Sequence, residues 1–180
     1  TGKKTIVNAF LREIFEIDNI KRVKELIKVS NSNTIEVLYH SSENHFIINP
    51  SIYNIYDKVI IQVLIKNIAK TKSVVNKKHK IIVILNSNNL SIEAQNSLRR
   101  TFEIYMDNCR FILITSSSTK IISPLGSRTL KIRCAKPKKE DLECLIKNVT
   151  KQNNFKINNS DIQKIILKSN FNIETILVSL

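Results

Sequence analysis

The sequence predicts an α/β fold, a parallel sheet flanked by helices over residues 1–135, followed by a small helical domain over 136–180. Three observations carry this expectation. Strand-like stretches alternate with helical periodicity as far as residue 135, the pattern of βα units. The run Ile81-Ile82-Val83-Ile84-Leu85 is apolar at every position and of strand length, so it reads as a strand covered on both faces, as strands of parallel sheets are. Beyond Pro137 only helical periodicity remains.

Each element has a local reason. Residues 3–17 place Ile6, Val7, Phe10, Leu11 and Ile14 at helical spacing. TIEVL at 34–38 and HFII at 45–48 read as short strands bounded by Asn, Ser and Pro. A helix follows from Asp57 to Lys70, with an acid in its first turn and lysine in its last, as the helix dipole favours. Ser91 is the predicted N-cap of a helix that runs to about Met106, with Leu98, Phe102 and Tyr105 on its packed face. Phe111–Thr115 reads as a second buried strand, and Ser117–Ser123 as a polar loop or short helix closed by Pro124. Thr129–Arg133 is predicted as a third strand that turns Leu130 and Ile132 inward. Helices over 138–151, 159–169 and 172–180 complete the chain, and the Asn-rich stretches 30–33, 86–89 and 152–159 read as loops.

Composition narrows the function classes. With 42% apolar residues the 180-residue chain can build a core, which argues against disorder. No stretch approaches the roughly 18 consecutive apolar residues of a membrane-crossing helix, and no secretory leader pattern is evident. The opening TGKKT and the periodic apolar close read as the cut ends of a longer protein. Lys and Arg total 29 against 15 acids, a net charge of +14. That balance excludes an acidic activation tail and fits a polyanion, either nucleic acid or an anionic membrane. Ile, Asn and Lys make up 74 of the 180 residues, all with AT-rich codons, so part of the charge reflects genome bias. Cys109, Cys134 and Cys144 form no Cys-x-x-Cys pair, which favours a reducing compartment over a disulfide or zinc framework. His40, His45 and His79 lie at no ligand spacing, so no metal site is expected. No nucleophile–base arrangement and no carboxylate pair suited to acid–base work is present.

Four stretches carry candidate chemistry. TGKKT followed by a helix is the tail of a phosphate-binding loop, with Gly2 as its last glycine and Lys3 as the phosphate lysine. Lys4 falls where the magnesium-binding hydroxyl belongs, and Thr5 comes one place late. After the strand 81–85, where such ATPases carry acids to hold Mg²⁺ and polarise water, stand Asn86, Ser87, Asn88 and Asn89. Amides cannot act as the base, so strong ATP hydrolysis from this strand is excluded; an ordinary polar loop fits equally. In PLGSRT at 124–129, Gly126 suggests a turn with positive φ or close packing. Arg128 then reads either as a surface arginine in a turn or as a group able to reach a neighbour's phosphate. Arg99 and Arg100 lie off the apolar face of the helix after Ser91, as a solvated basic face or as a contact to phosphates or a partner.

These strings together resemble one family. TGKKT, FLREIF, HFIINP, DKVIIQVLIKNIAK, KIIVILNSNNLSIEAQNSLRRTFEIYMDNCRFILI and STKIISPLGSRTLKIR follow the order of the small subunits of replication factor C, the eukaryotic clamp loader. The likeness is nearest to the subunit type whose phosphate loop reads Gly-Lys-Lys-Thr, and it covers nearly the whole chain. The resemblance implies an AAA+ P-loop NTPase core over 1–135, lacking its first strand and half the phosphate loop, and a helical lid over 136–180. It implies a nuclear protein, one of five subunits in a ring that opens a sliding clamp on primer–template DNA in replication and repair; the AT-rich skew also admits a nucleus-derived organelle genome. No membrane partner is implied.

The resemblance also assigns residues. Ser127-Arg128-Thr129 stands for the family's Ser-Arg-Cys motif, whose arginine acts in trans on the ATP of the adjacent subunit. The chain's own site departs from the active pattern at Lys4, at Asn86 to Asn89, at Ser116 in the place of the sensor Asn, and at Glu174 where the lid's sensor arginine is expected. ATP or ADP would then be held by Gly2, Lys3, Lys4 and Thr5 with little hydrolysis, and without the acids that hold Mg²⁺. Lys58 and Lys66 on helix 57–70 are implied DNA contacts, with Gln62 in place of a sister subunit's Arg. Arg99 and Arg100 serve DNA or inter-subunit contacts. A self-sufficient ATPase and a basic nucleic-acid-binding module with a vestigial ATPase fold stand as the alternatives.

Overall fold

The computed structural model describes residues 2–15, 21–29, 33–70, 79–153 and 157–179. By internal contact the chain forms two compact units, Val7–Lys131 and Thr1–Ile6 with Ile132–Leu180.

The first unit is a five-stranded sheet covered by helices. Helix α1 (Lys3–Phe15) is followed by strands β1 (Lys21–Lys28), β2 (Thr34–Ser41) and β3 (His45–Ile48). A 3₁₀ segment, Pro50–Tyr56, leads into α2 (Asp57–Ile60). A π-helical turn, Ile61–Ile65, joins α2 to α3 (Lys66–Lys70). Then come β4 (Lys80–Ile84), α4 (Ile92–Tyr105), β5 (Cys109–Leu113) and the one-turn α5 (Ser123–Gly126). The strands lie in the order β1-β2-β3-β4-β5. β3, β4 and β5 run parallel, with Phe46 opposite Ile82 and Ile82 opposite Phe111.

The sheet is mixed rather than all parallel, because β1–β2 and β2–β3 pair antiparallel. The 34–38 strand accordingly extends to Ser41, and β1 is an addition to the predicted elements.

β4 is buried at every position, Lys80 included, and is apolar from Ile81 onward. Ile82 and Ile84 join a cluster with Ile60, Ile61, Leu64, Ile65, Leu98 and Phe102 from the helices after β3 and β4. Ile81 and Val83 join Leu11 and Phe15 of α1 and Ile47 in a second cluster. Alternate side chains of Ile81–Ile84 therefore feed two cores, which is why these four positions are apolar. Phe102 stacks on Phe111 with ring centroids 4.2 Å apart, seating α4 over β5.

Two loops tighten this unit. Ser91 caps α4 as predicted, its hydroxyl accepting from Ala94 N at 3.1 Å. The buried Asp57 accepts from Ser91 N (2.7 Å), Ser91 Oγ (3.0 Å) and Lys58 N (2.6 Å), so one carboxylate ties the start of α2 to the start of α4.

The predicted strand 129–133 does not form. Residues 130–138 have no strand partner among the described residues, and Leu130 and Ile132 are 88% and 79% exposed rather than inward. An alternating pattern names the face a strand would bury, but a strand also needs a neighbour to pair with.

Gly126 needs no positive φ, since only Gly2 among the glycines has one. A Cβ on Gly126 would meet the flexible end of Lys131 at an ordinary 3.6 Å.

The second unit packs α6 (Lys139–Gln152), α7 (Asn159–Lys168) and α8 (Ile173–Ser179) around Leu142, Ile146, Ile162, Ile166 and Ile176. Their 3.6-residue periodicity is what the sequence displayed after Pro137. Among the described residues no helix is long and apolar enough to cross a membrane.

Candidate functional site

The residues singled out from sequence fall into four groups. Gly2 precedes α1 with φ +77, a conformation that favours glycine. Its carbonyl accepts from Ile6 N at 2.9 Å, closing the first helical turn, to which Lys3, Lys4 and Thr5 belong. That turn contains no acid, so its free N–H groups and the positive end of the helix dipole meet no carboxylate from their own turn. Glu174 stands exposed in the first turn of α8, its amide donating to Asn172 Oδ1 at 3.1 Å.

The loop after β4 is a tight neutral turn. Asn86 takes a left-handed φ of +50, which asparagine tolerates better than most residues, and its carbonyl accepts from Asn89 N at 2.9 Å. Ser87 is buried, and both its amide and its hydroxyl donate to Ile114 O (3.0 and 3.2 Å). Asn88 Oδ1 accepts from Ser116 N (3.1 Å) and Thr115 Oγ1 (3.4 Å). The Asn88 amide oxygen is thus engaged in joining the β4 loop to the β5 loop. Ser116 takes part through its backbone.

The third group surrounds α5. Its C-terminal turn is held by Ser127 Oγ donating to Pro124 O (3.2 Å) and Thr129 Oγ1 donating to Gly126 O (3.2 Å). The turn also walls an open pocket lined by Ser118, Thr119, Ser123, Ser127 and Lys131. Arg128 extends from this turn toward α4. Its Nε lies 2.9 Å from Glu103 Oε1, and its Nη1 donates to Pro124 O at 2.8 Å. Arg99 Nε donates to the same Glu103 oxygen at 3.2 Å. The hydrogen bond from Arg99 foremost, with the charges of Arg99 and Arg128, holds the Glu103 carboxyl below the usual carboxylate range. The Arg128 side chain remains 41% exposed, and its Nη2 has no hydrogen-bond partner among the described residues.

The fourth group is the set of cations proposed for DNA. Lys58 is paired with Glu93 at 2.7 Å, a contact that lowers the Glu93 carboxyl through its hydrogen bond first and its charge second. Arg99 is paired with Glu103, whereas Lys66 and Arg100 are exposed and form no ion pair among the described residues. The four are therefore unequal: two carry their own counter-charge and two do not.

Sequence reasoning missed Glu103, Asp57 as a clip between helices, and Asn88 as a bridge between loops. The spacing of Arg99 and Glu103, four apart on a helix, could have exposed their pairing. The Arg128–Glu103 contact joins distant segments and has no local signal.

No family model matches the chain. It is 34% identical over 188 residues to replication factor C subunit 3 of Arabidopsis thaliana, an alignment covering 100% of this chain and 53% of the relative. It is 39% identical over 146 residues to replication factor C subunit 5 of Schizosaccharomyces pombe, covering 78% of this chain and 41% of that protein. Replication factor C subunit 5 of Neurospora crassa is 32% identical over 182 residues, covering 98% of this chain and 52% of the relative. The chain spans about half the length of the curated relatives it matches.

Proposed function

Since the chain belongs to the replication factor C small-subunit family, we propose that it serves as one subunit of a five-membered ring that loads a sliding clamp onto primer–template DNA. In this reading Arg128 stabilises charge on the ATP held by a neighbouring subunit, while the chain's own nucleotide site is degenerate. The protein works in the nucleus, in replication and repair.

The observation that carries the reading is the state of Arg128. Its guanidinium is tied at Nε and Nη1 yet keeps Nη2 unpartnered among the described residues, on an exposed side chain. An arginine offered this way can donate N–H groups to a phosphate oxygen that another molecule supplies. Such a group contributes by neutralising charge that develops on the transferring phosphoryl group.

The chain's own site suits phosphate better than it suits hydrolysis. The acid-free turn at Gly2–Thr5, with free N–H groups and Lys3, has the chemistry to hold the phosphates of ATP or ADP. The residues do not fit a hydrolytic Mg²⁺ site: Lys4 offers a cation in place of a hydroxyl, and the β4 loop offers amides in place of carboxylates. A self-sufficient ATPase is for the same reason the poorer reading. DNA contact falls to Lys66 and Arg100 before Lys58 and Arg99, because the latter pair would first have to give up Glu93 and Glu103. Such contacts address phosphates, so they are indifferent to base sequence and weaken steeply with salt.

The test is reconstitution of the full-length chain with its partner subunits, clamp and primer–template DNA. Arg128→Ala is expected to lower stimulated ATP turnover by at least tenfold at the site it serves, arginine fingers contributing roughly 10³–10⁵ where measured. Unchanged turnover would overturn the proposal.

A further inference from the structure

Glu103 was not marked by any motif, yet its Oε1 is approached by both Arg128 Nε and Arg99 Nε. We propose that Glu103 is a positioning residue, which fixes the plane of the Arg128 guanidinium so that its Nη2 end is presented to an outside phosphate. The inference rests on the reading of Arg128 as the arginine that acts in trans.

The argument is geometric. A free arginine side chain samples many rotamers and would have to be ordered when the neighbour's nucleotide arrives. Here the planar group is held at two of its three nitrogens, by Glu103 at Nε and by Pro124 O at Nη1. Two fixed atoms of a rigid plane leave the third nitrogen little freedom, and that nitrogen is the unpartnered Nη2.

The support for Glu103 is itself rigid. α4 is capped by Ser91, clipped by Asp57 and packed through the buried Leu98 and Phe102. Arg99, one turn earlier on the same helix, donates to the shared oxygen and restrains the carboxylate further. The other anchor, Pro124 O, belongs to the turn that carries Arg128. The arginine is thus aimed from a helix and from its own turn together, which is the arrangement preorganisation requires.

The experiment uses the reconstituted five-subunit complex and reads kcat and KM for ATP separately. Arg128→Ala, Glu103→Ala, Glu103→Gln and the double variant Glu103→Ala/Arg128→Ala are compared, with a urea midpoint to register folding. Glu103→Ala is expected to lower kcat at least tenfold with KM unchanged, a misplacement of about 1 Å costing up to roughly 10²-fold. Glu103→Gln keeps an acceptor oxygen without the charge and is expected to fall between Glu103→Ala and the parent chain. The double variant should be no slower than Arg128→Ala alone. If Arg128→Ala slows turnover but Glu103→Ala does not, the positioning role fails while the trans reading stands. A rise in kcat on removing Glu103 would mean that the carboxylate restrains Arg128 instead of aiming it, and also overturns the inference. If Arg128→Ala itself has no effect, both fall.

Discussion

Asp57→Ala is predicted to destabilise the sheet-bearing unit by about 3 kcal/mol. The carboxylate is buried and accepts three donors, two of them from Ser91 across the junction of α2 and α4. A hydrogen bond to a charged acceptor contributes roughly 1.5–3 kcal/mol, and a donor stranded without a partner adds to the loss. Ser91 N loses its bond to the charged carboxylate, which accounts for about 2 kcal/mol. Ser91 Oγ would keep its cap to Ala94 N, so its lost bond is put at about 1 kcal/mol. The Lys58 amide sits in the first turn of a helix beside solvent, where water replaces the carboxylate at small cost. Against a typical total of roughly 5–15 kcal/mol the change is large, worth about 6–12 °C in Tm for a chain of this size. The chain has no tryptophan, so urea unfolding is best followed by circular dichroism at the helical band. Ser91→Ala provides the scale, since it loses both the N-cap and the hydroxyl's bond to Asp57, about 1 kcal/mol each. If Asp57→Ala shifted the midpoint no further than Ser91→Ala, the carboxylate would not be holding the two helices together.

Two further predictions concern the backbone and pH. Gly2→Ala should cost about 1 kcal/mol, because φ +77 is strained for any residue with a Cβ, whereas Gly126→Ala should stay within about 0.5 kcal/mol; equal urea midpoints for the two variants would contradict this. His45 is buried at the start of β3, stacked on Phe15, with its Nδ1 on the Ser42 hydroxyl and its Nε2 unpartnered among the described residues, and burial lowers its pKa. A lowered value means the unfolded chain takes up a proton, below about pH 6.5, that the fold resists. The stabilisation is therefore complete above about pH 6.5 and is lost as the pH falls through the folded-state value. His45→Gln should flatten the decline in urea midpoint between pH 7.5 and 5, and an unchanged decline would remove His45 as its cause.

Which features could be read from the sequence follows from which forces are local. β4 was legible because burial on both faces keeps Ile81 to Ile84 apolar in a row, and the Ser91 cap because its hydrogen bond spans three residues. β1 was not, since KRVKELIK lies at the sheet's edge with Ile27 its one buried residue, and its charged positions carry no strand pattern. The π turn at Ile61–Ile65 has no distinct side-chain signature. For 129–133 the alternation was genuine, but no residue pattern supplies the strand that must lie beside it. At the candidate site the presence of Arg128 and the lack of acids after β4 could be read directly. The partners of those residues could not, because Glu103 with Arg128 and Asn88 with Ser116 meet only through the tertiary fold. Asp57 shows the same limit: its place in a first helical turn was visible, and its tie to Ser91 was not.

In the proposed ring, Arg128 stabilises the charge that develops as a neighbouring subunit's ATP is split. The most direct measurement counts phosphate released per assembled complex in a single turnover on clamp and DNA, for the parent chain and for Arg128→Ala. The account predicts that the variant complex loses one equivalent of rapidly released phosphate while still binding DNA. Release of the same number of equivalents at the same rate would contradict it.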